Sequence, residues 1–407
     1  MLFVYTIAII FATQINEMTA SISGNIPKLY LIKIAKWFML TMPIIVLFYQ
    51  ENGLSMQDVL TLKGIYSVAV VALEIPSGYI ADVWGRKKSL ILGSILGCLG
   101  FVVYSFSHGF SGFLTAELIL GIGSSFISGS DSAMLYDSLL KMKKEKDYLK
   151  QESRVMSVGN FAEALAGIAG GSLALISLRT PFVFQSFIAF IAIPASILLV
   201  DPNQNAVKIK VGFKHILSIV KFSLWDNAIL RWNIVLSSVI GCATLTLAWF
   251  IQPYLRDLDM EVSTIGVIWT LLNLTVGFVA LSAYKIEGYL GKNGTSIFIV
   301  LGVSIGFILT GWFNSLIGVG VLFFFYFVRG IATPVLKDYI NRITESEMRA
   351  TVLSVRNFII RICFALIGPF LGWYTDHFTL SSALMLAGGI FFVLGGISVL
   401  FMIKVEK

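Results

Sequence analysis

Gly78-Tyr79-Ile80-Ala81-Asp82-Val83-Trp84-Gly85-Arg86-Lys87-Lys88 is a short charged run set between two long apolar stretches. The same alternation continues in both directions. Stretches near the roughly 20 apolar residues that cross a hydrocarbon core about 30 Å thick recur at 29–50, 57–80, 88–108, 112–137, 154–177, 180–200, 230–252, 262–284, 294–313, 316–340, 350–373 and 380–403. The chain is 57% hydrophobic and only 13% charged, with a mean hydropathy of +0.85. A soluble fold of this composition would expose apolar surface everywhere. Lipid offers no partner to backbone N–H and C=O groups, so each stretch is expected to be helical. The expected fold class is an all-α polytopic membrane protein of twelve transmembrane helices embedded in a lipid bilayer.

Charge placement orients those spans. Arg86 to Lys88, Lys141 to Arg154 and the basic residues of 208–231, 285–292, 337–349 and 404–407 fall on one side, against Lys63, Arg179 and Arg256 on the other. Basic loops stay in the cytoplasm, so both termini are expected inside, in the cytoplasmic membrane. The net charge of +7 is thereby explained by topology, which argues against nucleic acid as a partner. Cys98, Cys242 and Cys363 lie inside apolar stretches, without metal-ligand spacing, and read as small core residues. Residues 1–27 fit the scheme poorly. Met1 to Thr13 is apolar but too short to span and lacks a signal peptide's basic start, which leaves a surface helix or an initiator at Met18.

Two halves echo each other. Gly121-Ile122-Gly123 and Ser157-Val158-Gly159-Asn160-Phe161 return in the same order, roughly 200 residues later, as Gly330-Ile331-Ala332 and Ser354-Val355-Arg356-Asn357-Phe358. A six-helix bundle over 28–200, a linker with a surface helix over 201–229 and a second bundle over 230–407 follow. Parallel repeats of this kind place a substrate site at their interface. The run from Gly78 to Lys88 resembles the signature loop G-x-x-x-D-x-x-G-R-[RK] of the major facilitator superfamily, and Lys285-Ile286-Glu287-Gly288-Tyr289-Leu290-Gly291-Lys292 is its degenerate echo. The resemblance covers about residues 28–405. It implies a secondary transporter that moves a small organic molecule by alternating access, without a cofactor, as a monomer.

Within that resemblance, Gly78, Asp82, Gly85, Arg86 and Lys87 form a conformational latch. Gly78 lets the second span approach the eleventh closely, Asp82 sits near the eleventh helix N-terminus, and Arg86 reaches Asp131 or Asp137. The family's usual arginine after the aspartate is Val83 here. Many proton-coupled exporters carry an arginine at the position of Glu117. Their helix 5 proline motif is replaced by Ala166-Gly167-Ile168-Ala169-Gly170-Gly171, while the eleventh span has Gly368-Pro369.

Ionised side chains inside a span cost roughly 2.5–3.5 kcal/mol each and are expected to face protein or water. Glu117, Gly121, Ser124, Ser128 and Asp131 recur at helical spacing as one polar face. Apolar surroundings disfavour the charged form of a carboxylate, which suits such a group to carry protons. Glu117 and Glu163, with Glu74 behind them, are therefore the proton-coupling candidates. Pairing with Lys63 or an arginine is the structural alternative. Arg329 and Arg361 have no acid at i±3 or i±4 and are candidates to bind an anionic substrate group. Trp37, Asn233, Thr244, Trp269, Asn273, Tyr326 and Asn357 could line the path.

Proton-driven export is the first expectation, and uptake of a carboxylate-rich metabolite or metal chelator the second. An enzyme is not expected, since His108, His215 and His377 have no suitable partners. A phosphate-cradling loop for direct use of ATP is missing from the sequence, and spans leave little chain for a receptor's soluble output domain. The topology is testable with reporters fused at the C-terminus and after Arg256, which are expected on opposite sides of the membrane. The same side for both would break the twelve-span reading.

Overall fold

The computed structural model describes residues 21–128, 130–202, 213–345 and 348–406. The expected surface segment at 1–20 and the linker stretch 203–212 lie outside the described residues. The described chain is helical: α1 (Asn25–Trp37), α2 (Ile45–Glu51), α3 (Met56–Trp84), α4 (Arg86–Phe106), α5 (Gly109–Ile127), α6 (Ser130–Lys141), α7 (Tyr148–Ala174), α8 (Thr180–Ile197), α9 (Phe213–Lys221), α10 (Ala228–Asp257), α11 (Val262–Ala280), α12 (Ala283–Trp312), α13 (Leu316–Ile343), α14 (Arg349–His377) and α15 (Leu380–Glu406). Helix α9 lies within the expected linker stretch and packs its buried Ile219 against Leu230, Ile234, Ile340 and Val352.

Among the described residues ten helices are long and apolar enough to cross a membrane. Within α7, where the fifth span is expected, the apolar stretch among the described residues is Phe161–Ala174. The first span is broken between α1 and α2. Residues 38–44 leave the α-helix, and Pro43, which has no N–H to donate, falls within that break.

Contacts group the described chain into two compact units. One holds the residues up to Met42 and from Ala69 to 202, the other Pro43–Val68 and everything described from Phe213 onward. Packing thus groups the hairpin segment Pro43–Val68 with the second half of the chain. Sequence repeats are drawn by another criterion, so this grouping does not decide the 28–200 and 230–407 reading. In the first unit Leu29, Ile32, Leu90, Met134, Leu135 and Leu199 share a core. In the second, the Phe307 ring lies 5.4 Å from Phe325 and 5.5 Å from Phe391. Lipid tails are as apolar as these side chains, so close packing and satisfied polar groups hold the helices together.

The break in the first span is held from both sides. In the first unit, the Leu40 N–H donates to Oε1 of the fully buried Gln185 at 2.8 Å. In the second, the Val46 N–H, near the start of α2, donates to Oε1 of the fully buried Gln252 at 2.8 Å. The unwound Leu40 carbonyl lies directly against Gly170 of α7, where a Cβ would collide with backbone. We expect Gly170→Ala to lower stability by about 1–3 kcal/mol, the usual range for overpacking, read as thermal unfolding in detergent. Gly389→Ala on α15, where a Cβ would meet no described atom within 4 Å, should leave stability unchanged or raise it by up to ~1 kcal/mol.

Candidate functional site

The first unit gathers its polar groups at the end where α4 begins. Gly85 turns the chain there with φ +100°, a conformation open to glycine. The next residue, Arg86, donates through Nη1 to the Ala133 carbonyl at 2.9 Å and pairs with the Asp137 carboxylate. Of the two acids expected to receive Arg86, it is Asp137 that does. Asp131 instead faces Lys33 Nζ at 3.4 Å. Beside Asp137, Ser138 accepts from Asn25 Nδ2 at 2.9 Å, and Asn25 also donates to the Val200 carbonyl at 2.7 Å and accepts from the Val200 N–H at 2.8 Å. The Arg86 contact therefore ties α4 to α6 inside one unit.

A Cβ at Gly78 would meet no described atom within 4 Å. The close approach of α3 to α14 occurs earlier, at Gly64, where a Cβ would stand 3.3 Å from the Ala365 Cα. Lys87 is half-buried, and the Asp82 side chain lies outside the described residues. The echo in the second unit has the same backbone device, with Gly291 at φ +67°. There Lys292 lies over the Tyr339 ring at 5.2 Å and Arg342 reaches Glu287 at 3.5 Å.

The three candidate proton carriers fall in the first unit. Glu117 is 2% exposed on the apolar helix α5, while Glu163 and Glu74 are half-buried. Neither Glu117 nor Glu163 is isolated. The continuous polar face expected from Glu117 to Asp131 is interrupted, because Ser128 leaves the helical region with ψ 126° and Asp131 starts a separate helix. Trp37 lies flat on Gly159, its ring 3.0 Å from where a Cβ would be, with Lys33 Nζ 5.4 Å from its centre.

The second unit seats the hairpin Pro43–Val68 by its backbone. At the start of α3, Ser55 and Asp58 cap each other reciprocally, the Asp58 N–H donating to Ser55 Oγ at 3.1 Å and the Ser55 N–H to Asp58 Oδ2 at 3.1 Å. The Met56 and Gln57 N–H groups donate to the two Asp376 oxygens at 2.9 and 2.7 Å. Asp376 thus places a carboxylate at a helix N-terminus, where the dipole favours it. Gly372, one turn before it on α14, allows the approach, since a Cβ there would stand 2.6 Å from the Met56 carbonyl. Further along α3, Lys63 is 6% exposed, with Nζ 4.8 Å from the Trp249 ring and 5.3 Å from Tyr49.

The expected substrate residues bond partly to their own helices, while Asn233 Oδ1 and Trp269 Nε1 are buried with no hydrogen-bond partner among the described residues. Asn233 donates to the Ile229 carbonyl at 2.8 Å, Thr244 to Gly241 at 3.0 Å and Asn273 to Trp269 at 2.9 Å. Trp269 is buried. Arg329 is half-buried over the ring of the buried Tyr326, at 5.1 Å. Arg361 is half-buried and Asn357 exposed. The deeper cation is Arg356, which was not singled out from the sequence. It is 8% exposed, with Nε on Ser237 Oγ at 2.5 Å and Nη1 on Asn357 Oδ1 at 3.1 Å. The signal lay in the repeat itself, where Gly159 of the first copy stands opposite Arg356 of the second. Gln252 and Asp376 carried no such signal.

Comparison with known proteins agrees with this architecture. The chain is 23% identical over 269 residues to the MFS-type transporter MJ1560 of Methanocaldococcus jannaschii, covering 65% of this chain and 67% of that one. It is 23% identical over 167 residues to the quinolone resistance protein NorA of Staphylococcus aureus, covering 41% of this chain and less than half, 42%, of NorA. Its fold matches the crystal structure of the nucleoside transporter NupG with a TM-score of 0.78 at 12% identity, over 95% of this chain and 99% of that one. The sequence profile of the Major Facilitator Superfamily extends over residues 30–368. The likeness first met in one loop therefore runs through both halves, and the chain belongs to the Major Facilitator Superfamily, a family of membrane transporters and not of enzymes.

Proposed function

We propose that this transporter exports a small organic molecule in exchange for protons, by alternating access across the cytoplasmic membrane. Both termini lie in the cytoplasm, and the chain works as a monomer without a cofactor. The observation that carries the coupling is Glu117, a carboxylate 2% exposed on a helix apolar enough to span. A carboxylate placed within a span is by default a functional-site candidate, and its side chain is one that can bind and release a proton. Glu163 and Glu74 are the further carriers. The resemblance to a transporter-family protein named for quinolone resistance supports export as the direction.

Alternating access gives the seated hairpin a role. Pro43–Val68 is held on the second unit by Gln252 and Asp376, and we propose that it leaves this seat when the site opens outward. Two carboxylate bonds to a helix N-terminus contribute on the order of 1–2 kcal/mol, enough to bias an equilibrium without locking it.

Two tests follow from these assignments. Glu117→Gln keeps size and hydrogen bonding and removes titration. Substrate exchange without a gradient should persist, while accumulation driven by a pH gradient in inverted vesicles should fall at least tenfold. A full response to the gradient in this variant would move coupling to Glu163 or Glu74. The hairpin is tested by Gln57→Cys with Asp376→Cys, in a background where Cys98, Cys242 and Cys363 are replaced by alanine. Oxidation should stop net transport and a reductant restore it. Undiminished transport by the cross-linked protein would show that the seat never opens.

A further inference from the structure

Arg356 is a permanent cation near the start of α14, and the partners it has in the structure are neutral. Its guanidinium has five N–H donors and does not lose its proton in proteins. Ser237 Oγ and Asn357 Oδ1 take two of them. Ser237 and its neighbour Ser238 are fully buried, and Ser238 donates to the Arg356 carbonyl at 3.3 Å. Among the described residues, no carboxylate lies within 4.0 Å of this guanidinium, although Arg86, Lys33 and Arg342 all have one. Among the described residues, neutral hydrogen bonds fix the orientation of the fork and no carboxylate balances its charge. A buried charge in that condition is costly.

The repeat shows that the fold does not require the arginine. At the matching place in the first unit stands Gly159, covered by the ring of Trp37. In the second unit Gly241 on α10 faces α14, where a Cβ would stand 2.5 Å from Ile360 Cδ1 and 3.6 Å from Arg356 Nη2. The matching pairs thus set Trp37 against Gly159 in one unit, and Ile360 with Arg356 against Gly241 in the other.

We infer that Arg356, oriented by Ser237 and Asn357, is an anion subsite that takes a carboxylate or phosphate group of the transported molecule. A planar fork with free N–H donors suits an oxyanion, and an arriving anion supplies the missing counter-charge. The inference rests on the transporter reading but not on proton coupling, since binding needs no gradient. Lipid phosphate offers the same chemistry, and the test separates the two sources.

The full-length protein in nanodiscs of phosphatidylcholine alone is heated with citrate, inorganic phosphate, glucose or tetraphenylphosphonium. Wild type should be stabilised by one or both anions and not by glucose or the cation. Arg356→Gln should lose that shift. If Arg356→Gln does not fold, Arg356→Lys keeps the charge but not the fork and should weaken the anion's affinity roughly tenfold, about 1.4 kcal/mol. Wild type indifferent to both soluble anions, or stabilised only when anionic lipid is added, would overturn the subsite. So would an undiminished shift in Arg356→Gln or Arg356→Lys. Glu117→Gln should keep the anion shift, so failure of the coupling assignment is seen separately.

Discussion

A peptide N–H left without a partner in lipid costs several kcal/mol, and this architecture bends to that constraint wherever a helix starts or stops within the membrane. The first span does not run through, and Pro43 falls within its break. Breaking a helix exposes donors at the new N-terminus. Gln185 meets one on the first unit, and Gln252 meets one on the second. The same demand returns at α3, where Ser55, Asp58 and Asp376 together satisfy the first helical N–H groups. The hairpin is thus attached to the second unit by bonds with direction as well as by apolar contact. Directional bonds are made or broken as a set, which is what a two-position element needs.

What the sequence revealed followed from properties repeated along it. Apolar length disclosed the spans, the charged loops disclosed their order, and the echo of Gly85 at Gly291 reappears as the same positive-φ turn. The interruption of the first span was less legible, since Ile45 to Phe48 continues the apolar run past Pro43. The polar face drawn from Glu117 to Asp131 failed because helical spacing presumes an unbroken helix, and Ser128 ends one. Gln252 and Asp376 were invisible for a different reason. Their partners are backbone atoms far away in the chain, and a backbone N–H leaves no mark on residue type.

Charge is divided between the units in a way that composition hides. Glu74, Glu117 and Glu163 belong to the first, while Lys63, Arg329, Arg356 and Arg361 belong to the second. A buried carboxylate can shed its charge by binding a proton, but a guanidinium cannot. The three acids and the three arginines thus differ in kind, although Lys33 and Arg86 in the first unit, and Asp376 and Glu287 in the second, break any strict division. Lys63 stands between two aromatic rings, 4.8 Å from Trp249 and 5.3 Å from Tyr49.

The two signature loops show how one backbone device takes on unequal strength. In the first, Arg86 of the loop meets Asp137 of α6, and Asp137 is mostly buried. In the second the polarity is reversed, Glu287 of the loop region meeting Arg342 of α13, whose side chain is 60% exposed. Exposed pairs contribute at most about 1 kcal/mol, whereas removing one partner of a buried pair costs several. Arg342 also divides itself between Glu287 and Asp338, the latter at 2.5 Å. The first loop is consequently a fixed corner joining α4 to α6, backed by Asn25 and Ser138. The second is a corner that can yield, and the kink at Gly291 within α12 lies beside it.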